Sequence, residues 1–162
     1  MFIIQIVNMK KGFDVLYGID NEFYIYESKS SLETTLDATH NSNISEAYND
    51  LKKKIEGINT TNNPWRNAYN HSILRSVNYN DTISKTLKKL SKDYVAKKFE
   101  KIESYNIIPS STIFLGARYT VIDKDDLINK ITNLTKGYKS KNLNVLCLNK
   151  KTIQNFINYL DE

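Results

Sequence analysis

The chain has 162 residues, of which 40% are hydrophobic and 25% are charged, so it can form one domain with a substantial core. This composition excludes an intrinsically disordered chain. The formal net charge of +5 favours an anionic partner, but lysines outnumber arginines 20 to 3. Arginine is the residue that reads guanine and phosphate with paired hydrogen bonds, so its scarcity weakens the case for a sequence-specific nucleic-acid reader.

The cysteine content and the amino-acid usage indicate the cellular location of the protein and the origin of its gene. The single cysteine, Cys147, excludes an internal disulfide, and the apolar run Phe2–Val7 is too short to cross a membrane. We therefore expect a cytoplasmic protein without membrane contact. Asn and Lys each occur 20 times and Ile 19 times. Because the codons of these residues are rich in A and T, we expect a gene from a low-G+C bacterium or from one of its phages or plasmids.

The first part of the chain predicts a three-stranded antiparallel meander. Phe2–Val7 is rich in Ile, as is typical of a buried strand. Two further strands, Phe13–Ile19 and Phe23–Glu27, flank a short polar stretch. In that stretch Asp20 and Asn21 tolerate left-handed backbone, which favours a hairpin turn.

Two helices are predicted next. Ser30 and Glu33 have the spacing of a capping box, which predicts a short helix to about Thr39. Apolar residues then recur at helical spacing over Ile44–Ile58, and Gly57 is placed to end that second helix.

The centre of the chain predicts one short helix and one long basic helix. Asn63 and Pro64 form a helix-start signal, because Asn caps free N–H groups and Pro needs none in the first turn. The longest periodic segment, Asp81–Tyr105, predicts a helix capped by Asp81. Its apolar stripe shifts phase by one residue at Tyr94, from which we expect one long helix that packs against different neighbours along its two halves. Its exposed faces would carry Lys85, Lys88, Lys89, Lys92, Lys97, Lys98 and Lys101.

The last part of the chain reads as strand, helix, strand, helix. Ile107, Ile108 and Thr112–Ile122 are typical of a strand, and a helix capped by Asp123 follows and runs to about Thr135. A strand over Leu143–Leu148 and a helix over Lys150–Leu160 follow. This order is typical of a βαβ unit, whose two strands are parallel.

Together these elements predict one α+β domain over residues 1–162, in which helices pack on a mixed sheet. The β-meander occupies 1–27, the helical segment 30–105 and the βαβα unit 107–162.

The sequence contains no motif specific to a class of enzyme. It has no glycine-rich phosphate loop, no zinc-spaced set of Cys and His and no nucleophile elbow. Asp123, Asp125 and Asp126 can hold Mg²⁺ through oxygen ligands, but acidic residues at a helix start also serve as caps. Cys147 has no neighbour that would stabilise a thiolate. We therefore expect no catalytic residue, no metal and no cofactor.

An aromatic and basic group precedes the central helix. It consists of Trp65, Arg66, Tyr69, His71 and Arg75. Such interleaving suits stacking on bases and contact with phosphates. However, helical spacing assigns Trp65 and Tyr69 to the core face, which would leave the two arginines as surface charges.

Charge is segregated along the chain, and this guides the functional hypothesis. Residues 1–60 carry six basic and nine acidic side chains, whereas residues 61–105 carry nine basic and four acidic ones. We expect a non-catalytic binding protein of a phage or mobile element that inhibits a host nucleic-acid-processing or defence nuclease, in the manner of an anti-CRISPR protein, by protein–protein contact. The predicted contact residues are Asp20, Glu22, Glu27, Arg66, Arg75, Lys85, Lys88, Lys89 and Lys92.

Two alternatives stay open. One is a sequence-tolerant DNA- or RNA-binding protein that uses the lysine-rich helix together with Arg66 and Arg75. The other is a metal-dependent enzyme built on the three aspartates at 123, 125 and 126.

Overall fold

The structure is a computed structural model that describes residues 12–19, 22–74, 81–116 and 121–151. In these ranges, five strands form one mixed sheet and four α-helices accompany it. The strands are β1 (Val15–Ile19), β2 (Glu22–Leu32), β3 (Asn106–Leu115), β4 (Asn142–Leu143) and β5 (Leu146–Lys151). The helices are α1 (His40–Glu56), α2 (Pro64–Leu74), α3 (Asp81–Val95) and α4 (Lys124–Thr135). The predicted α+β class is confirmed.

A hairpin opens the described part of the sheet. Strands β1 and β2 pair antiparallel, with Val15 opposite Tyr26 and Ile19 opposite Glu22. This confirms the predicted hairpin. The predicted strand Phe2–Val7 lies outside the described residues, as does the predicted turn residue Asp20.

The helix predicted from Ser30 is wrong, because β2 continues to Leu32. Strand β2 pairs in parallel with β3 over this stretch, with Ser30 opposite Thr112 and Leu32 opposite Phe114. A helix of one or two turns is marginal on its own, so a ladder of backbone hydrogen bonds outweighs one capping signal.

Helix α1 confirms the second predicted helix and begins four residues earlier than expected. Its cap is Thr39, whose side chain accepts a hydrogen bond from the Ser42 N–H at 3.1 Å, while the Ser42 hydroxyl lies 3.2 Å from the Thr39 N–H. This reciprocal arrangement is a capping box. As predicted, Gly57 ends the helix, with a left-handed φ of 64°.

Helix α2 begins at Pro64 as predicted, but the single long helix after it is wrong. Asn63 Oδ1 accepts a hydrogen bond from the Arg66 N–H at 3.0 Å. Helix α3 ends at Val95, because Lys97 adopts a left-handed φ of 58° and the Lys98 N–H donates to the carbonyl of Asp93 at 2.8 Å. The shift in phase of the apolar stripe therefore marks the end of the helix. Lys97, Lys98 and Lys101 follow that helix and do not belong to it.

The core joins the sheet to helices α1, α2 and α3. Its fully buried residues include Leu16, Ile25, Leu51, Ile55, Trp65, Leu87 and Ile107. The ring of Trp65 meets that of Phe13 edge to face at a centroid distance of 5.0 Å, which confirms Trp65 as a core residue. Gly18 lets α3 approach β1 closely, since a Cβ at that position would lie 2.6 Å from Cδ1 of Ile83.

The last described segment confirms the predicted parallel strand pair. The predicted strand Leu143–Leu148 is divided into β4, which pairs with the start of β3, and β5, which pairs with its end. β3 itself ends at Leu115, earlier than the predicted Thr112–Ile122 strand. Lys150 and Lys151 belong to β5, and the rest of the predicted last helix lies outside the described residues. No helix in the described ranges has the length and apolar character needed to span a bilayer.

Candidate functional site

The acidic residue Glu22, at the start of β2, is neutralised within the fold. Its carboxylate accepts a hydrogen bond from Lys141 Nζ at 2.5 Å and another from Asn106 Nδ2 at 3.0 Å. These contacts hold the pKa of Glu22 below its ordinary value. Asp20, the neighbouring acidic residue of the predicted surface, lies outside the described residues.

Glu27 is buried beneath α1, which corrects the expectation that it lies on an exposed edge. It is 3% exposed, and Lys54 Nζ lies 2.6 Å from each of its carboxylate oxygens. Burial raises the pKa of Glu27, although Lys54 acts in the opposite direction. Next to this pair, Lys29 Nζ bridges Asp50 at 2.5 Å and Glu46 at 3.3 Å. The acidic charges of β2 and α1 thus tie the helix to the sheet.

The basic residues of α2 and α3 have a different environment. Arg66, Lys88, Lys89 and Lys92 are exposed, and within the part of the chain that the structure describes none of them forms an ion pair with a carboxylate. Lys85 is also exposed on α3. Arg75 lies outside the described ranges. Among the described residues, part of the net positive charge is therefore carried by Arg66, Lys88, Lys89 and Lys92, which face solvent without an acidic partner there.

Three of these cations, Arg66, Lys88 and Lys92, line a groove of about 460 Å³ between α2 and α3, which we name the basic groove. It is lined by Arg66, Tyr69, Asn70, Lys88, Ser91, Lys92 and Val95. Lys88 and Lys92 are one helical turn apart and so share a face of α3. The Lys88 ammonium lies 5.9 Å from the ring centroid of Tyr69, which is a cation–π contact.

Both ends of the basic groove are fixed by hydrogen bonds. Near the start of α2, Asn63 Nδ2 donates to the carbonyl of Ser91 at 2.8 Å. Near its end, the hydroxyls of Ser72 and Ser84 lie 3.1 Å apart and are buried. The two helices therefore run antiparallel with their walls held at a set separation, so the groove is preorganised.

A second cavity, of about 380 Å³, lies where α1 and α4 begin beside the end of β3. Its walls include His40 of α1 and Asp123, Asp126 and Lys130 of α4. Carboxyl ends of parallel strands are common positions for ligands in α/β sheets. The structure thus brings together one histidine and two of the three aspartates that the sequence singled out.

Both ring nitrogens of His40 are occupied. Nε2 lies 3.1 Å from Asn149 Oδ1, which can only accept, so Nε2 carries the proton. Nδ1 then accepts from the Ser111 hydroxyl at 2.8 Å, and Ser111 also receives a hydrogen bond from Asn43 Nδ2 at 3.2 Å. Burial lowers the pKa of His40, which keeps the ring neutral. His40 therefore joins α1 to β3 and β5.

The aspartates at the start of α4 have structural partners. Asp123 caps the helix by accepting from the Asp126 N–H at 3.0 Å, and the Asp126 carboxylate pairs with Lys130 at 2.7 Å. Across the described ranges, no group of three or more His, Cys, Asp or Glu side chains is placed to hold a metal ion. Cys147 on β5 is half-buried, and burial raises the pKa of its thiol.

A third cavity, of about 650 Å³, lies beside the stacked rings of Tyr48 and Tyr138, whose centroids are 3.8 Å apart. Its walls carry charges of both signs, and one pair of them, Glu103 and Lys139, forms an ion pair at 3.6 Å. This cavity has no excess of one sign, unlike the basic groove.

Comparisons with known proteins returned nothing: no protein-family model, no curated protein and no solved structure matches the chain. Sequence reasoning identified the lysines of α3 and Arg66, but it assigned Tyr69 to the core alone. Tyr69 is half-buried, so one part of its ring packs inward while another lines the basic groove.

Proposed function

We propose that this protein is a non-catalytic binding protein whose basic groove contacts the phosphate backbone of DNA or RNA with little dependence on sequence. One observation carries the proposal. Glu27 is paired with a lysine in the interior and Glu22 with a lysine at the surface. Arg66, Lys88 and Lys92, by contrast, line one groove without acidic partners among the described residues.

Lysine chemistry explains the expected lack of sequence specificity. A lysine ammonium is a flexible point charge that attracts phosphate, whereas the planar fork of arginine is suited to paired hydrogen bonds with guanine. The groove contains two lysines and one arginine. Binding would then be driven by release of counterions from the nucleic acid and would weaken with added salt.

The experiment is a mobility-shift titration at low salt with a labelled oligonucleotide of DNA and one of RNA. Wild-type protein should retard the probe, and Arg66→Gln combined with Lys88→Gln and Lys92→Gln should retard it only at much higher protein concentration. A matched control is Lys124→Gln, because Lys124 is exposed on α4, outside the groove. If wild-type protein retards no probe, or if the triple variant and Lys124→Gln behave alike, the proposal fails.

A second candidate is the inhibitor expected from composition, which would block a host nuclease by protein–protein contact in the cytoplasm. The observation in its favour is apolar exposure in the groove, where Val95 is 72% exposed. Protein interfaces combine an apolar centre with a polar rim. A basic and apolar surface of this kind fits an acidic protein or a nucleoprotein complex.

A pull-down from host lysate, with and without nuclease treatment, separates the two candidates. A protein partner that survives nuclease treatment and is lost with Val95→Asp supports the inhibitor. A partner that disappears when nucleic acid is digested supports the first candidate.

A further inference from the structure

We propose that the basic groove selects single-stranded nucleic acid over duplex, with a base entering the groove beside Tyr69. This inference rests on the proposed contact with nucleic acid and adds a substrate class to it. Its basis is the mixture of side chains in the groove, where aromatic and apolar groups line the same walls as the cations.

A duplex does not expose base faces to a groove that mixes cationic, aromatic and apolar side chains. Its bases are stacked on each other, so the backbone offers mainly phosphate and sugar to a protein surface. Single strands expose base faces next to phosphates, and proteins bind them with a positive groove that contains aromatic side chains. The basic groove has both components, since Tyr69 lies with Arg66 on the α2 wall and Val95 lies with Lys88 and Lys92 on the α3 wall.

The contact between Lys88 and Tyr69 shows where the base would bind. The ammonium sits over the ring at 5.9 Å from the centroid, so this face of Tyr69 is turned to the groove and not to the core. Stacking of a base on an aromatic ring is stronger than an exposed cation–π contact. A base can therefore replace the ammonium, and Lys88 is then released to contact the adjacent phosphate.

The other wall and the dimensions of the groove agree with this arrangement. Arg66 is exposed on α2, and a guanidinium can bind phosphate or stack on a base. The volume of about 460 Å³ falls in the range of sites that hold one small molecule. The groove thus accommodates one nucleotide unit at a time, with neighbouring phosphates at its rim.

The test measures fluorescence anisotropy of a labelled single strand of about 16 nucleotides, alone and annealed to its complement. Wild-type protein should bind the single strand about tenfold more tightly than the duplex. Tyr69→Leu should lower single-strand affinity about tenfold and leave duplex affinity unchanged, while Lys88→Gln should weaken both. Val95→Ser, at an exposed position that does not support folding, should also reduce the preference.

The outcomes distinguish the two proposals. If neither nucleic acid binds, the proposed function is wrong. If both bind with equal affinity, or if Tyr69→Leu and Val95→Ser leave the preference unchanged, the protein binds nucleic acid but this inference is overturned. Circular dichroism of each variant verifies that the fold is intact, which matters for the half-buried Tyr69.

Discussion

Lys54 on α1 donates hydrogen bonds to both carboxylate oxygens of Glu27 on β2, each at 2.6 Å, and Glu27 is 3% exposed. This pair holds the longest helix in the described ranges against the sheet. It also neutralises one negative charge with one positive charge, so neither contributes to the net charge of the surface.

Breaking the pair should destabilise the fold. Lys54→Ala would leave the buried Glu27 carboxylate with only a more distant cation, Lys29 at 3.9 Å, and we expect the free energy of unfolding to fall by about 3 kcal/mol, measured by urea denaturation. Replacing both residues by apolar ones, Glu27→Leu with Lys54→Met, should restore most of that loss, because no charge is then buried alone. A double variant that is less stable than either single variant would contradict this account.

The variant Gly57→Ala provides a second test of stability. Ala at this position would have to adopt the left-handed φ of 64°, and its Cβ would overlap the ring of Phe99. We expect Gly57→Ala to lower the free energy of unfolding by about 3 kcal/mol, through backbone strain and the clash together. Gly137→Ala is the matched control, because nothing lies within 4 Å of a Cβ there, and its effect should stay within about 0.5 kcal/mol.

The neutral state of His40 predicts a pH dependence of stability. Burial lowers the pKa of His40 below its ordinary value of 6.5, so the unfolded chain binds more protons than the folded protein as the pH falls. The contribution of His40 to the free energy of unfolding should be fully present at pH values above the pKa that His40 has in the unfolded chain. It should decrease as the pH falls towards the lower pKa that His40 has in the folded protein. Urea midpoints between about pH 7 and pH 5 should show this decrease.

His40→Gln provides the comparison for that experiment. The variant should be less stable at neutral pH by about 1–3 kcal/mol, because it disturbs the hydrogen bonds to Ser111 and Asn149. Its urea midpoint should, however, vary less with pH than that of the wild type. Parallel pH profiles for the two proteins would show that His40 does not titrate as argued.

Asp123 should act as a helix cap and not as a metal ligand. Asp123→Ala removes the acceptor of the Asp126 N–H and should lower the free energy of unfolding by about 1 kcal/mol. Asp125→Ala, which changes the first turn without removing the cap, should cost less. The thermal midpoint of the wild type should be the same with and without MgCl₂. A rise in the thermal midpoint with Mg²⁺ that Asp123→Ala abolishes would support the hypothesis of a metal-dependent enzyme.

Sequence reasoning worked where the signals were local. The apolar stripe of α1, its end at Gly57 and the start of α2 at Pro64 depend on residues a few positions apart, and all three are confirmed. It failed where a distant segment decided the outcome. Ser30 and Leu32 stay in a strand because β3 pairs with them. No residue near Ser30 in the sequence indicates that β3 will pair with this segment.

The end of α3 was misinterpreted for a different reason. A stripe that rotates at Tyr94 is compatible with a bent helix, with a helix that changes neighbours or with a chain that leaves the helix. The left-handed backbone at Lys97 decides among these, and a lysine gives no sequence signal for it. As a consequence, the basic helix carries four of the seven predicted lysines.

The candidate site was partly predictable. Helical spacing placed Lys88 and Lys92 on an exposed face, but it could not show which charges are neutralised elsewhere in the fold. That depends on long-range pairs such as Glu22 with Lys141, which are 119 positions apart in sequence. The position of Tyr69 at the boundary between core and groove likewise depends on how α3 packs on α2.

The salt dependence of single-strand affinity tests the central claim most directly. If Arg66, Lys88 and Lys92 each contact one phosphate, the logarithm of the association constant should fall against the logarithm of salt concentration with a slope of about −2 or steeper. The slope of the triple variant should be shallower by about 2, while that of Lys124→Gln should equal that of the wild type. A slope near zero for the wild type, or equal slopes for the wild type and the triple variant, would contradict the claim that the basic groove binds phosphate.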